Sequence, residues 1–453
     1  MLKLSKPWVL LVGVVALLAL VAVACGGDDE EGGGTRTPAA TGTAAATAKP
    51  TGTAAVTGTP GSSAGATSPE DDLPEIGLPA GKIVLGSHFA QSGTYGAAFA
   101  PVGEGLKAYF QYLNDEKGGV CGRKIDFKAE DDQYDPAHAV EVTRKMVEQD
   151  KIFAMVAGLG TAAHSAVWDY LNEKGIPDLW VMTGAHKWGA DPKGHPWTVG
   201  LLPDYFVEGT IQGKWISENM PGKKVAVLYQ NDDFGRDGRD GLLNGLDPAK
   251  NEVVSQQSYE ATAVDVRSQV TNMKQTGAEV AVCDCIPGYT AQAVGAANRM
   301  GWKPQWIVDY VNSDPVMFTY SSPADMEGVL TLQANKLIQW TDDPAVAKHI
   351  EMIKKYANVP PGNFTLVGQV TGQLMEEVLN RTCDNLSRRG LMDAVESLRD
   401  FAVPDSEGVA LPGVTTTITP EDHLATESMR FLRAKVVDGK GVWDYEGELL
   451  SFR

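Results

Sequence analysis

The stretch Lys82–Gly96, KIVLGSHFAQSGTYG, joins an apolar run to a loop of small and polar residues. The run KIVL predicts a buried strand, and the residues after the loop have the spacing of an amphipathic helix. A strand that leads through a short loop into a helix is the repeating unit of a parallel α/β sheet. The apolar face of this predicted helix consists of Leu106, Tyr109, Phe110 and Leu113.

The same alternation of strand and helix continues through most of the chain, in two series. Strand-like runs of the first series are KIDFKAEDD, IFAMVAGLG and PDLWVMTG. The second series follows PWTVGLLPDY and contains KKVAVLYQ, AEVAVCDCI and PQWIVDYV. This pattern predicts two α/β lobes, each with a parallel sheet. The later helices PAVAKHIEMIKKYA and VTGQLMEEVLNRTC have no periodicity that assigns them to either lobe.

Residues 1–25, MLKLSKPWVLLVGVVALLALVAVAC, have two lysines, an apolar run and small residues before Cys25. This layout predicts an export signal. An uncleaved membrane anchor is the alternative, because the run approaches the roughly 20 apolar residues that span a bilayer. The sequence Ala22-Val23-Ala24-Cys25 resembles the lipobox of bacterial lipoproteins. That resemblance implies cleavage before Cys25, lipidation of its thiol and an extracytoplasmic protein tethered to the cell membrane.

Residues 26–80 combine GGDDEEGGG with a Thr/Ala/Gly/Pro/Ser tract, which predicts a flexible spacer. Gly61–Gly65, GSSAG, fits the serine-hydrolase pattern G-x-S-x-G. No strand precedes it and no helix follows it, so a nucleophile elbow is not predicted there.

Charge and cysteine content limit the partners and ligands. The net charge is −19 and no Lys/Arg stripe stands out, which argues against nucleic acid as a partner. Cys121 lies in a Gly-rich turn and Cys383 at a helix end, and we predict a disulfide bond between them. Cys283 and Cys285 share one face of a strand, where we predict two buried thiols. Neighbouring His or Cys ligands for zinc are missing there, and no metal site is predicted.

The predicted ligand site lies in the loops that follow the strands, because open parallel sheets bind ligands beyond their carboxyl ends. These loops, SHFAQSGTYG, GLGTAAH, TGAHKW, YQNDDFG, CIPGY and DYVNSD, suit a small polar ligand. The first loop has neither the G-x-G-x-x-G motif of dinucleotide-binding proteins nor the Lys-Ser/Thr of a Walker loop. NDDFGRDGRDG lacks the oxygen ligands of a calcium loop. His164 and His186 have no catalytic spacing, so neither an enzyme nor a cofactor is predicted.

KIVLGSHFAQSGTYG, YLNEKGIP, VAVLYQNDDFGRDG and residues 114–160 resemble the substrate-binding lipoproteins of ABC importers, of the branched-chain amino-acid-binding type. The resemblance covers nearly all of 82–453. It implies the two-lobed type I periplasmic binding protein fold, with three hinge crossovers between the lobes. It implies a lobe 1 of 81–200 plus 332–430, and a lobe 2 of 201–331 plus 431–453.

The resemblance also implies that a ligand is buried by closure of the lobes and delivered by a monomer to a membrane permease with its ATPase. In amino-acid-binding relatives, a lobe 2 acid pairs with the ammonium group. Tyr310 takes that position here, with Asp309 one residue earlier on the opposite strand face. Either Asp309 enters the site through an irregularity, or the ligand has no ammonium group. The implied ligand-binding residues are Tyr95, Gly160, Thr161, Thr183, Gly184, Ala185, His186, Asp233, Phe234, Pro287, Asp309 and Tyr310.

The ligand classes left open are branched-chain or other amino acids, amides and aromatic acids. A tethered sensory module that presents its ligand to a signalling partner is the alternative function. An extracytoplasmic hydrolase is a further alternative.

Overall fold

The computed structural model describes residues 65–452, and the first half of this part is organised around one sheet. The sheet has the strand order β2-β1-β3-β4-β5, and all its strand pairs are parallel. We call this sheet and the helices packed on it lobe 1. The elements are β1 (Lys82–Phe89), α1 (Gly93–Tyr112), β2 (Lys124–Asp131), α2 (Pro136–Glu148), β3 (Ala154–Val156), α3 (Thr161–Ser165), α4 (Trp168–Glu173), β4 (Asp178–Val181), α5 (Lys187–Ala190) and β5 (Thr198–Gly200).

The following elements complete the chain: α6 (Tyr205–Asn219), β6 (Lys224–Gln230), α7 (Asp233–Gly245), β7 (Glu252–Tyr259), α8 (Arg267–Gln275), β8 (Val280–Asp284), α9 (Pro287–Arg299), β9 (Gln305–Val308), α10 (Met317–Tyr320), α11 (Pro323–Met326), β10 (Leu330–Gln333), α12 (Pro344–Tyr356), α13 (Asn363–Asn380), α14 (Arg388–Val395), β11 (Ser428–Val437) and β12 (Lys440–Ser451). Seven of the strands form a second sheet in the order β12-β11-β10-β9-β8-β6-β7. We call this sheet and its helices lobe 2. The predicted two-lobed α/β class is confirmed.

The lobe 2 sheet ends in an antiparallel hairpin, which the prediction of a purely parallel sheet did not include. Strand β11 pairs antiparallel with both β10 and β12. The two-residue turn between β11 and β12 is Asp438-Gly439, with φ angles of 50° and 75°. Asp-Gly with two positive φ angles is typical of the tight turns whose twist matches a hairpin.

The chain passes between the sheets three times within the described residues: after β5, after β10 and before β11. Helix α13 packs closely on α1 of lobe 1. A Cβ atom on Gly105 would lie 2.4 Å from the Thr365 carbonyl oxygen, and one on Gly368 would lie 2.2 Å from the Val102 carbonyl oxygen. These contacts place α13 on lobe 1. The exact division of the chain between the lobes stays a prediction.

Two disulfide bonds lie in the described residues. One joins Cys121 to Cys383, the pair expected from the sequence. The other joins Cys283 to Cys285, so the prediction of two buried thiols is wrong. Their Cα atoms are 5.2 Å apart, within the range that a disulfide bridges without backbone movement.

The segment before β1 is folded onto lobe 1 from about residue 66, so the spacer predicted to reach residue 80 ends earlier. Ala66 and Leu78 are buried. The buried Arg123 guanidinium donates hydrogen bonds to the carbonyl oxygens of Ser68, Asp71 and Pro79. A buried cation needs such acceptors, which hold this segment in place. The predicted signal segment, Cys25 and most of the spacer lie outside the described residues.

None of the helices within 65–452 is long and apolar enough to cross a membrane.

Candidate ligand-binding site

A cavity lies between the two lobes, at the carboxyl ends of the parallel strands. Open parallel sheets leave their ligand crevice at this edge. Helices α1 and α13 and residues of all three chain crossings close the other sides. The empty space between the walls is about 870 Å³, part of it open to solvent. Many of the lining residues follow parallel strands within five positions, among them Gly160, Thr161, Thr183, Ile286, Tyr310 and Val311.

The walls of this ligand cavity carry no charge. None of the described residues that line it is Asp, Glu, Lys, Arg or His. A charged ligand group without a partner would be costly to bury against such walls. The cavity therefore suits a ligand whose body is apolar and whose polar group meets a few hydroxyl groups. Its apolar surface includes Phe99, Val102, Leu159, Met182, Phe364 and Met429.

Two threonine hydroxyls mark the polar end of the cavity. Thr161 Oγ1 and Thr183 Oγ1 are 2.5 Å apart, and both residues are buried. One hydroxyl donates to the other, and each oxygen keeps further hydrogen-bonding capacity. This end of the cavity can donate a hydrogen bond to an acceptor group of a ligand.

Gly160 allows the chain to turn into α3 beside this hydroxyl pair. Its φ angle is 98°, in the region that favours glycine. A Cβ atom at this position would lie 2.8 Å from the Tyr134 ring. Glycine therefore lets Thr161 and the ring of Tyr134 share one wall.

Aromatic rings form the wall contributed mainly by lobe 2. The Tyr205 and Tyr310 rings stack with their centroids 5.4 Å apart, and Phe234 lies against Tyr205 at 4.7 Å. The Tyr310 hydroxyl donates to the Pro203 carbonyl oxygen at 3.0 Å. Because Pro203 belongs to the first chain crossing, this bond ties the aromatic wall to a hinge.

Four buried side chains of lobe 1 form a row of hydrogen bonds beneath the hydroxyl pair, which we call the histidine row. His88 Nδ1 lies 2.7 Å from Asp132 Oδ2, and His88 Nε2 lies 3.0 Å from His164 Nδ1. His164 Nε2 lies 2.9 Å from Asp178 Oδ2. Helix α3 carries both His164 and Thr161, so the row fixes the helix that presents the hydroxyl.

Three buried carboxyl groups of lobe 2 lie behind the aromatic wall, and we call them the acid cluster: Glu208, Asp284 and Asp309. Burial raises the pKa of Glu208 and of Asp284 well above their ordinary values, and it raises the pKa of Asp309 to about 6. The nearby charge of Asp309 raises the first two further. Asp309 Oδ1 accepts the Val311 N–H at 2.8 Å and caps a short 3₁₀ turn. No carboxyl of this cluster lines the ligand cavity.

The structure brings five of the predicted site residues to the ligand cavity: Gly160, Thr161, Thr183, Phe234 and Tyr310. Gly184 packs beside it, where a Cβ atom would lie 2.4 Å from the Tyr310 hydroxyl. Ala185 is buried next to it, and Asp309 lies in the acid cluster. Tyr95 and Pro287 line a separate groove at the outer edge of the cleft.

His186 and Asp233 lie among a set of bonds between the lobes, which we call the rim contacts. The His186 backbone N–H donates to Asp237 at 2.9 Å. Lys187 Nζ donates to Asp233 at 2.8 Å, and the Tyr95 hydroxyl donates to the Ala261 carbonyl oxygen. The hydrogen bond to Asp204 raises the pKa of His186, and burial raises the pKa of Asp237 to about 6. In every rim contact, lobe 1 donates and lobe 2 accepts.

The sequence analysis missed the lining residues that lie outside the six loops quoted there. Some belong to helix faces and others to the chain crossings. A helix face that lines a cavity has the same apolar spacing as one that packs in a core. The missed residues include Phe99, Phe364, Leu201, Leu202, Asn335 and Thr426.

Comparisons with known proteins agree with this architecture. The sequence profile described as periplasmic binding protein matches residues 82–441. An amino acid binding protein from Pseudomonas aeruginosa is 24% identical over 214 residues, which is 47% of this chain and 57% of that protein. The chain therefore matches less than two thirds of that relative's length. Leu/Ile/Val-binding protein homolog 7 from Brucella abortus is 22% identical over 324 residues, 66% of this chain and 77% of that protein.

Two solved structures share the fold. A branched chain amino acid ABC transporter protein from Thermus thermophilus with bound valine is 21% identical, with a TM-score of 0.70 over 82% of this chain and 97% of that one. The fatty acid ABC transporter substrate-binding protein from Thermomonospora curvata is 22% identical, with a TM-score of 0.71 over 84% of this chain and 95% of that one. The chain belongs to the periplasmic binding protein family, among the relatives of the Leu/Ile/Val-binding proteins.

Proposed function

We propose that this protein is the extracytoplasmic solute-binding component of an ABC importer, and that its ligand is a carboxylate with an apolar body and no ammonium group. The observation that carries the proposal is the uncharged cavity between the lobes, with two hydroxyls at one end. A carboxylate accepts hydrogen bonds, and the Thr161–Thr183 pair has one hydroxyl proton left to donate. The related structures named for valine and for a fatty acid share this chemical group.

The absence of an acid from the described cavity walls argues against an α-amino acid. An ammonium group would face uncharged walls, because Asp309 caps the 3₁₀ turn behind Tyr310 instead of entering the cavity. A buried ammonium without a counter-charge is costly. We therefore expect the deaminated analogue of an amino acid to bind more tightly than the amino acid.

Ligand binding is coupled to lobe closure through the chain crossings. Each of the three crossings contributes to the cavity wall: the first with Leu201 and Pro203, the second with Asn335 and the third with Thr426. A ligand that contacts all three crossings stabilises one arrangement of the lobes over others. The rim contacts stabilise the same arrangement. The closed form is the one that we propose docks on the permease.

Isothermal titration calorimetry with leucine and 4-methylpentanoate tests the ligand class, because the two differ only by the amino group. We expect 4-methylpentanoate to bind at least about tenfold more tightly. We expect the double variant Thr161→Val/Thr183→Val to lose most of that affinity. Thr143→Val, at a buried threonine of α2 away from the cavity, is the matched control. Tighter binding of leucine, or full affinity in the double variant, would contradict the proposal.

We further propose that lipidated Cys25 tethers the protein to the outer face of a membrane. The sequence before this residue supports the proposal. Metabolic labelling with a radioactive fatty acid checks it: wild-type protein is expected to take up label, and Cys25→Ser is expected to take up none. Equal labelling of the two proteins would exclude Cys25 as the anchor.

A further inference from the structure

A second cavity lies next to the ligand cavity, on the far side of the chain crossings. The two cavities share four lining residues: Ala334, Asn335, Val370 and Thr426. The empty space of the second cavity is about 610 Å³. These four residues therefore form the boundary between the two cavities, and this boundary is where a passage for a ligand would run.

One face of α13 runs along both cavities. Phe364, Val367 and Val370 line the ligand cavity, and Val370 and Leu374 line the second one. These residues recur every three or four positions, so they lie on one side of the helix. Ten residues of helix span about 15 Å. The apolar wall is therefore continuous over a length that suits an extended chain.

The opposite wall of the passage is formed by two crossings, and two of its backbone carbonyl oxygens and one amide nitrogen already have partners. The Ala334 carbonyl oxygen accepts the Leu411 N–H at 2.9 Å, and the Asn335 carbonyl oxygen accepts the Tyr445 hydroxyl. Asn335 Nδ2 donates to Gln333 at 3.3 Å. The part of a ligand that passes this point therefore does not need polar groups to satisfy these protein atoms.

The inner part of the second cavity is mostly apolar, with Phe401, Leu411 and Val414 among its walls. Gln373 lies there too, and its Nε2 donates to the Glu407 carbonyl oxygen at 2.8 Å. Asp405 is exposed on the outer rim. The negative charge of Asp405 disfavours a ligand carboxylate near the outer rim of the second cavity. A carboxylate at Thr161 and Thr183 would lie at the other end of the two cavities, away from Asp405.

We infer that the second cavity binds the tail of the ligand, and that the ligand class is a long, unbranched monocarboxylate. This inference rests on the proposed function, which places the carboxylate at Thr161 and Thr183. The chain then follows α13, passes Val370 beneath the crossings and ends near Leu411. A branched-chain acid would fill the ligand cavity alone.

Calorimetry with butanoate, 4-methylpentanoate, octanoate and dodecanoate tests the chain length. A buried methylene tightens binding about fourfold, so we expect affinity to rise through the series to dodecanoate. Val414→Phe fills part of the second cavity at a half-buried residue that does not line the ligand cavity. It should weaken dodecanoate binding at least about tenfold and change butanoate binding less than about twofold. Val254→Phe, at a half-buried position of β7, is the matched control.

Photolabelling locates the tail directly. Dodecanoate with a diazirine at its terminal carbon is expected to label peptides that contain Leu374 or residues 401–414. Binding of 4-methylpentanoate without any gain for longer chains, or labelling confined to the ligand cavity, overturns this inference and leaves the proposed function standing. If none of the four acids binds, the proposed function itself fails, and the inference fails with it.

Discussion

The two lobes bury their ionisable groups in opposite ways. In lobe 1, each carboxylate of the histidine row faces an imidazole at 2.7 or 2.9 Å. In lobe 2, the carboxyls of the acid cluster face one another, backbone N–H groups and an amide, and the charge of Arg239 lowers the pKa of Asp284. Lobe 1 therefore holds a matched network under its half of the ligand cavity, whereas lobe 2 keeps carboxyls that burial pushes toward the neutral form.

This difference assigns separate roles to the two halves of the cleft. The histidine row fixes α3 and with it the Thr161 hydroxyl, so lobe 1 presents a prearranged polar end. The acid cluster supports the 3₁₀ turn of Tyr310, whose backbone N–H donates to Glu208 at 2.8 Å. Lobe 2 thus supplies an aromatic wall that is held by carboxyls whose pKa burial raises.

The largest effect is expected from breaking the histidine row. His164→Leu removes one buried partner from Asp178, which keeps the Thr198 hydroxyl, and one from His88, which keeps Asp132. The free energy of unfolding should therefore fall by about 3–5 kcal/mol. Urea unfolding measures this change. His138→Leu, the same substitution at an exposed position of α2, should change it by less than about 0.5 kcal/mol. A loss below about 1 kcal/mol in His164→Leu would show that the row is not a matched network.

The acid cluster should give a smaller effect with the opposite sign. The pKa of Asp309 is about 6 in the folded protein and 3.8 ordinarily. Between these values the unfolded chain releases the proton and the folded protein keeps it, so stability falls as pH rises. The titration of Asp309 alone should lower the free energy of unfolding by about 3 kcal/mol between pH 3.8 and neutral pH.

Asp309→Asn removes that loss and keeps an oxygen that can accept the Val311 N–H. We expect the variant to match the wild type near pH 3.8 and to exceed its unfolding free energy at about pH 7.5, by up to about 3 kcal/mol. Urea unfolding across this range measures the difference, with the exposed Asp115→Asn as control. An unchanged pH slope in Asp309→Asn would assign the titration to another group.

The strand-following loops could be predicted from the sequence because parallel sheets bind ligands at one known edge. That rule found the loops that contain Thr161, Thr183, Phe234 and Tyr310, and the family resemblance supplied those residues, although neither indicated which loop residues face the core. His88 illustrates the limit: it belongs to the first such loop by sequence, but it points into lobe 1 and bonds His164. Its partner lies 76 positions away, a separation that periodicity does not bridge.

Other features depended on tertiary contacts that local patterns do not encode. The sequence places Cys283 and Cys285 on one strand face, but whether they form a disulfide bond depends on the backbone path after β8, where Cys285 lies. The folded start of the described chain depends on Arg123, whose acceptors at Ser68 and Asp71 lie in a segment of low apolar content. The β11–β12 hairpin was different, since Asp438-Gly439 is a local signal that could have been used.

The rim contacts extend the comparison to the cleft edge, where lobe 1 donates and lobe 2 accepts, and they should give the smallest effect. The Lys187–Asp233 pair is partly exposed, so it should contribute at most about 1 kcal/mol to closure. Lys187→Met should therefore weaken binding of 4-methylpentanoate by about twofold to fivefold at low salt, as measured by calorimetry. Added salt screens the pair and should reduce the difference in affinity between Lys187→Met and the wild type.

Lys223→Met removes a similar pair with Glu279 that lies within lobe 2, and should leave affinity unchanged. If Lys187→Met also leaves it unchanged at low salt, donation from lobe 1 to lobe 2 at the rim does not hold the closed form, and the difference between the lobes is confined to their interiors.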